Sequence, residues 1–264
     1  MNKIATLPDF RAPGDILDRV TILELKIAGS SDAGDIEICR AERHSLICSW
    51  DNAGIVPMVK LAEYEQLREL NRMIWDAENR FREIERLQKF DDELPFIIRA
   101  AHEINERRAE MRRRASEMAA AQHGTDLIET SSSLDAFADR IAIAQLIAAR
   151  TNSISADMAS ALREVWIGNG LPDIFGSEDF CRLYLANDRL WDVKRAMDAW
   201  LYRDDFGTDP VSVGRSLYLI NDARFRAKVK IAHDFGSAFR ETKKYPRYDI
   251  PPNWDSGLLR WAGR

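Results

Sequence analysis

Cysteine, histidine and long apolar runs are all scarce in this sequence, and each scarcity removes a class of protein. The three cysteines, Cys39, Cys48 and Cys181, are odd in number and irregular in spacing, which gives neither a disulfide framework nor a zinc pattern. The four histidines, His44, His102, His123 and His233, are scattered. No His-x-x-Glu, His-Glu-x-x-His or Cys-x-x-Cys arrangement occurs, so no metal is expected and no Ser-His-Asp order can be assembled. Gly168-Asn169-Gly170 reads as a plain turn rather than a phosphate loop, and no cofactor is indicated. No run of about 18 apolar residues exists, and Met1–Pro8 lacks the apolar centre of a signal peptide. The expectation is a cytoplasmic protein with no membrane partner.

Excess positive charge is missing too. With 38 Lys and Arg against 43 Asp and Glu, the net charge is −5, which argues against nucleic-acid binding. The one basic run, Arg107, Arg108, Arg112, Arg113 and Arg114, is interleaved with Glu103, Glu106, Glu110 and Glu117. It reads as the solvated face of a charged helix rather than a phosphate patch.

What is present is helical periodicity almost throughout. Pro13-Gly14-Asp15 opens a first helix, with apolar residues at 16, 17, 20, 23 and 27 and an end at Gly29. A short helix is predicted near 35–49, closed by Asn52-Ala53-Gly54. Long helices follow at about 57–88 and 93–119, joined by a turn at Phe90-Asp91-Asp92, as in an antiparallel helical hairpin. After His123-Gly124 and Ser131-Ser132-Ser133 the pattern restarts. Helices are predicted near 134–150, 153–167, 176–202 and 209–235, with a turn at Asp204–Gly207.

The restart is a repeat. Shifting by 116 residues lays Trp50 on Trp166, Gly54 on Gly170, Leu67 on Leu183, Asn71 on Asn187, Trp75 on Trp191 and Asp76 on Asp192. It also lays Phe90 on Phe206, Arg99 on Arg215, Ile104 on Ile220, Asn105 on Asn221 and Arg108 on Arg224. The first helix matches at a shift of 121, Asp18-Arg19 falling on Asp139-Arg140. The expected fold class is therefore all-α. It would be two repeated units, each a long helical hairpin plus two shorter helices, packed as a pseudo-dimer. The expected boundaries are 1–122 and 133–242 for the repeats, 123–132 for a linker and 243–264 for a Pro/Trp-rich tail.

If the hairpin turns near Phe90, Trp75 lies level with Asn105, one turn from Asn71 and Arg108. Each copy then carries a knot of Asn, Trp, Asn and Arg. Two readings stand: a buried network fixing helix register, or a ligand site. Asp15, Asp18, Thr21 and Glu24 form a polar stripe on the first helix, with Arg19 and Lys26 beside it. On the bland reading Asp15 and Arg19 pair on a solvated face. In copy two, Asp15, Thr21, Glu24 and Lys26 become Ala136, Ala142, Gln145 and Ile147. If a site exists, copy one holds it: Glu24 and Asp18 as acid–base carboxylates, and Asp15, Arg19, Thr21, Lys26, Asn71, Trp75, Asn105 and Arg108 as ligand contacts.

The opening Pro13-Gly14-Asp15-Ile16-Leu17-Asp18-Arg19-Val20-Thr21-Ile22-Leu23-Glu24-Leu25-Lys26 resembles the signature of an uncharacterised bacterial helical domain family. Asn71…Trp75, Phe90 and Asn105-Glu106 fit its continuation. The resemblance covers 13–115 well and 134–235 weakly. It implies a tandem duplication of one fold unit and a place in a bacterial surface-glycan or secondary biosynthetic pathway. Two functions follow as expectations. One is a small-molecule binder or enzyme acting on a polar or anionic ligand in the repeat 1 bundle. The other is a helical scaffold whose partner is a protein. Nothing in the sequence decides whether a reaction is catalysed.

Overall fold

The computed structural model describes residues 6–87, 93–151, 155–203, 210–237, 239 and 241. Contacts divide them into two compact units, Pro8–Ser132 and Ser133–Glu241, the second also taking in Leu7. The turns expected around Phe90 and at Asp204–Gly207, and the tail expected at 243–264, lie outside the described residues.

In Pro8–Ser132 four α-helices follow in order: α1 (Pro13–Gly29), α2 (Ala33–Asn52), α3 (Ala62–Leu87) and α4 (Glu93–His123). Helix α1 begins as its sequence demands. Pro13 takes the first turn, where its missing N–H costs nothing, Asp15 sits at the positive end and Lys26 at the negative end. Asp32 caps α2 by accepting from the Asp35 amide at 2.9 Å. Residues Met58–Lys60 form a single 3-10 turn rather than the start of the long helix, because Leu61, in an extended conformation, separates the turn from α3. Helices α3 and α4 pair along their length, and α1 packs on α2, α3 and α4.

The core follows the expected spacing. Ile16, Leu17, Val20 and Leu23 on α1 are fully buried against Leu46, Trp50, Leu67, Met111 and Ala115. Gly14 sets how closely α1 meets α4. A Cβ there would fall 1.9 Å from the Arg112 carbonyl oxygen, a separation no side chain can take. The Gly14 amide donates to Ser116 Oγ at 3.0 Å in the same contact.

Ser133–Glu241 has helices α5 (Leu134–Thr151), α6 (Ser155–Gly168), α7 (Glu178–Arg203) and α8 (Pro210–Phe235). Its core joins Leu134, Phe137 and Ile141 to Trp166, Leu183, Ala227 and Ile231. The two tryptophans 116 residues apart behave alike. Trp50 Nε1 donates to the Val56 carbonyl at 3.0 Å, and Trp166 Nε1 to the Pro172 carbonyl at 2.8 Å. Gly54 and Gly170, which follow them, both take positive φ, 72° and 76°.

Two short strands depart from the expectation of helix and linker alone. Strand β1 (Leu7–Arg11) pairs with β2 (Ile128–Ser132), so the stretch read as a linker at 123–132 contains a strand, and α4 runs on to His123. The alternation is real but half polar. Ile128, Thr130 and Ser132 point inward, and so does Asp9. Ser132 Oγ donates to Asp9 Oδ2 at 2.8 Å, which satisfies the buried carboxylate. A Thr/Ser-rich segment resembles a loop in sequence because its inward residues are polar. The coarse expectation stands: the described residues are mostly helical.

Candidate functional site

The expected stripe on α1 turns inward at its middle, with Asp15 exposed at one end and Glu24 half-buried at the other. Asp18 and Thr21 are buried, 5% and 0% exposed, and both meet Asn71 of α3. Asn71 Nδ2 donates to Asp18 Oδ1 and to Thr21 Oγ1, each at 2.9 Å, while Thr21 Oγ1 donates to the Asp18 carbonyl at 2.8 Å. From α4, Arg108 forks onto the same carboxylate, Nε to Oδ1 at 2.7 Å and Nη2 to Oδ2 at 2.6 Å. Asn71 and Arg108 meet at one residue, as an antiparallel α3–α4 pair turning near residue 90 requires. Burial of the Arg108 guanidinium acts to lower its pKa, and the hydrogen bonds and charge of Asp18 outweigh it, leaving it raised. With both oxygens accepting from fixed donors, Asp18 is arranged to hold three helices in register.

The rest of the expected knot disperses. Asn105 Nδ2 turns back to the Ala101 carbonyl at 2.9 Å, and its Oδ1 accepts only a 3.4 Å contact from Arg108. Trp75 is half-buried, with a ring carbon 3.5 Å from where a Gly29 Cβ would sit, and it makes no hydrogen bond to a described residue. Asp76 pairs on the surface with Arg72. The expected Asp15–Arg19 ion pair does not form. Asp15 instead accepts from Arg112 of α4 at 3.1 Å. Arg19 forks onto Glu42 of α2 at 2.7 and 2.8 Å, because a buried carboxylate matches a planar guanidinium better than an exposed one a turn away. Burial raises the Glu42 pKa, and Arg19, helped by the charge of the buried Lys26, more than reverses this, so Glu42 stays ionised below the ordinary carboxylate range.

Glu24 belongs to a second cluster, apart from Asp18. Its Oε1 accepts from Arg43 Nε and Nη2 of α2, at 2.9 and 2.6 Å. The hydroxyl of Tyr64, on α3, lies 2.8 Å from Oε1 and 2.7 Å from Oε2. Tyr64 is 5% exposed, whereas Glu24 and Arg43 keep part of their side chains in solvent. Burial pushes the Tyr64 phenol up to about 12, and the hydrogen bond and negative charge of Glu24 push in the same direction. The phenol therefore keeps its proton near neutral pH and donates a hydrogen bond to Glu24, so the cluster sets a carboxylate between a hydroxyl donor and a guanidinium. That set suits recognition of a polar group better than proton transfer by the phenol.

The second unit repeats the first cluster and lacks the second. Asp139 accepts from Asn187 Nδ2 at 3.0 Å and from Arg224 Nε at 3.1 Å, with Arg224 Nη2 on the other oxygen. Burial raises the Asp139 pKa, and Arg224 and Lys228 bring it below the ordinary value. At the positions of Glu24 and Tyr64 stand Gln145 and Phe180. Counting back along the helix from the matched tryptophans, Glu42 and Arg43 correspond in sequence to Met158 and Ala159. Phe180 is buried edge-on against Phe175. Tyr64, Arg43 and Glu42 are the residues that sequence reasoning passed over. The signal available for Tyr64 was its change to Phe180 at the matching position of the second copy. No protein-family model, curated protein or solved structure matches this chain.

Proposed function

We propose that the chain is a tandem duplication in which the first copy binds a small polar or anionic ligand and the second supplies scaffold. The resemblance of residues 13–26 to a bacterial helical domain family, with its implied place in a surface-glycan or secondary biosynthetic pathway, belongs to the same proposal. So does pseudo-dimer packing of the fused copies. The observation that carries the reading is a difference. The Asp-Asn-Arg cluster occurs in both units, as a register device should, while Glu24, Arg43 and Tyr64 come together only in the first. A cluster that is dispensable to one copy's fold and kept in the other is where selection for something besides folding would act. Within it, Arg43 attracts an anionic group, and Glu24 and Tyr64 fix the direction of hydroxyl or amide groups. Asp15, Arg19, Lys26, Asn71, Trp75, Asn105 and Arg108 then shape the bundle around it.

The test is native mass spectrometry of the full-length chain, as purified and after incubation with a metabolite extract. A bound small mass should appear in the wild type and vanish in Tyr64→Phe/Glu24→Gln, with far-ultraviolet dichroism unchanged. No bound mass under either condition, or equal retention by the double variant, would overturn the reading.

One observation favours the scaffold alternative. Both oxygens of Asp18 and of Asp139 accept hydrogen bonds within the bundle, which supports a structural role for the feature shared by both copies. On that reading a protein partner would be recovered by the whole chain and lost on removing residues 246–264.

A further inference from the structure

We propose that the two copies have exchanged their leading strands, so that each strand completes the helical core of the other copy. The inference rests on the tandem duplication proposed above and not on its ligand. Strand β1 ends one residue before α1, and β2 ends one residue before α5. The shift of 121 that matches those helices lays Leu7–Arg11 on Ile128–Ser132, position for position. No residue is identical between the strands under that shift, so their kinship is invisible in sequence. They agree instead in length, in alternation and in their inward positions, Leu7 and Asp9 in one and Ile128 and Thr130 in the other. Matched positions also meet each other, since Thr130 Oγ1 donates to the Asp9 carbonyl at 3.4 Å.

The apolar anchors of the strands cross over. Leu7 stands six residues ahead of Pro13, where α1 begins, yet it is 1% exposed in the core that joins Leu134, Phe137 and Trp166. Ile128 stands six residues ahead of Leu134, where α5 begins, yet it is 3% exposed in the core of Ile16, Leu46 and Trp50. Contacts accordingly group Leu7 with Ser133–Glu241 and Ile128 with Pro8–Ser132. A five-residue strand with a half-polar inner face holds its place chiefly through its one enclosed aliphatic side chain. In both strands that side chain is given to helices far away in the chain rather than to the helix that follows. Strand β2 lies along α2, the helix that carries Glu42 and Arg43. The second copy therefore does more for the first than sit beside it in the chain: its leading strand braces the helix that supplies the guanidinium of the Glu24–Arg43–Tyr64 cluster.

Amide hydrogen–deuterium exchange of the full-length chain, read peptide by peptide, reports the opening of each bundle separately. Leu7→Ala should speed exchange about tenfold or more in α5–α8 and leave α1–α4 at the wild-type rate, because it removes an enclosed aliphatic side chain from the second core. Ile128→Ala should do the reverse, with α2 among the helices affected. Phe10→Ala and Glu129→Ala, at outward positions of the same strands, should change neither half. If an alanine variant does not fold, Leu7→Val and Ile128→Val put the same question with a smaller cavity and a few-fold effect. The proposal is overturned if Leu7 variants loosen α1–α4, if Ile128 variants loosen α5–α8, or if either set exchanges like the wild type. Those outcomes leave the duplication standing. The duplication fails instead if Asp18→Ala and Asp139→Ala, at matched positions, do not each loosen their own bundle.

Discussion

The two units solve one packing problem and differ in how they hold the first pair of helices together. Both pin their first helix to the following hairpin through a buried aspartate that takes an asparagine from one long helix and an arginine from the other. Pro8–Ser132 adds two clamps between α1 and α2, Arg19–Glu42 and Glu24–Arg43. In Ser133–Glu241 the matching positions on α6 are Met158 and Ala159, and α6 has 14 residues where α2 has 20. That unit folds without either clamp. The lesson is that the α1–α2 clamps are not required by the architecture, whereas the aspartate hub is.

The hub should give the largest effect. Asp18→Ala takes the carboxylate from the largely enclosed Arg108 guanidinium and leaves the buried Asn71 amide only Thr21, and should cost about 3–5 kcal/mol, with Asp139→Ala costing at least as much because Lys228 also leans on that carboxylate. Urea unfolding followed through each unit checks this, and a cost near zero in one unit would break the equivalence. Gly14→Ala should come next, at about 1–3 kcal/mol or more, because its Cβ has no space against the Arg112 carbonyl. Tyr64→Phe, which makes the first unit resemble the second, removes a hydrogen bond to a carboxylate and should cost about 1–2 kcal/mol while abolishing ligand retention. A thermal melt beside the mass measurement separates the two effects. Arg150→Gly, which copies Gly29 into the second unit, should matter least. Arg150 bridges Asp188 and Asp192 and lies 5.9 Å from the Trp191 ring, but it does so at a partly exposed site where such pairs are worth about 0–1 kcal/mol.

Proton linkage distinguishes the units as well. The folded Tyr64 phenol ionises later than an unfolded one, so its contribution is fully present below pH 10 and lost as pH rises from there through about 12. Tyrosinate absorbance should show a late-ionising phase, and Tyr64→Phe should remove it. In acid the sign reverses. Glu42 in the first unit and Asp139 in the second have lowered pKa values, so each contributes stability above the ordinary carboxylate pKa that is lost as pH falls through its folded value. Glu42→Gln should flatten the acid limb of the first unit only.

Much of the architecture was legible in the sequence because helices announce themselves through period. Ile16, Leu17, Val20 and Leu23 fall where they are buried, and the Trp50/Trp166 and Gly54/Gly170 matches mark the same turn in both units. The Asp-Asn-Arg hub was half legible. Counting from the turn gives the height of Asn71 and Arg108 along the hairpin, but height does not fix direction around the helix axis. That is why Trp75, at nearly the same height, turns to Gly29 instead. The Glu24–Arg43–Tyr64 cluster was illegible for a related reason. It joins three helices across separations of 19 and 40 residues, and no local pattern encodes which side chains of an α2 face will reach α1. The strands were hidden because their inward positions are Asp9, Thr130 and Ser132, whose burial depends on hydrogen bonds that form only once both strands are in place.

The matched tryptophans have a practical consequence. Trp50 and Trp166 are fully enclosed, one in each unit, and each indole N–H is given to a carbonyl six residues further on. Their emission should therefore be nearly the same while folded and should shift red independently as each unit opens. The pair are two of seven tryptophans, so phenylalanine at one of them should subtract from the summed emission the enclosed signal of its own half of the molecule and leave the matching signal of the other.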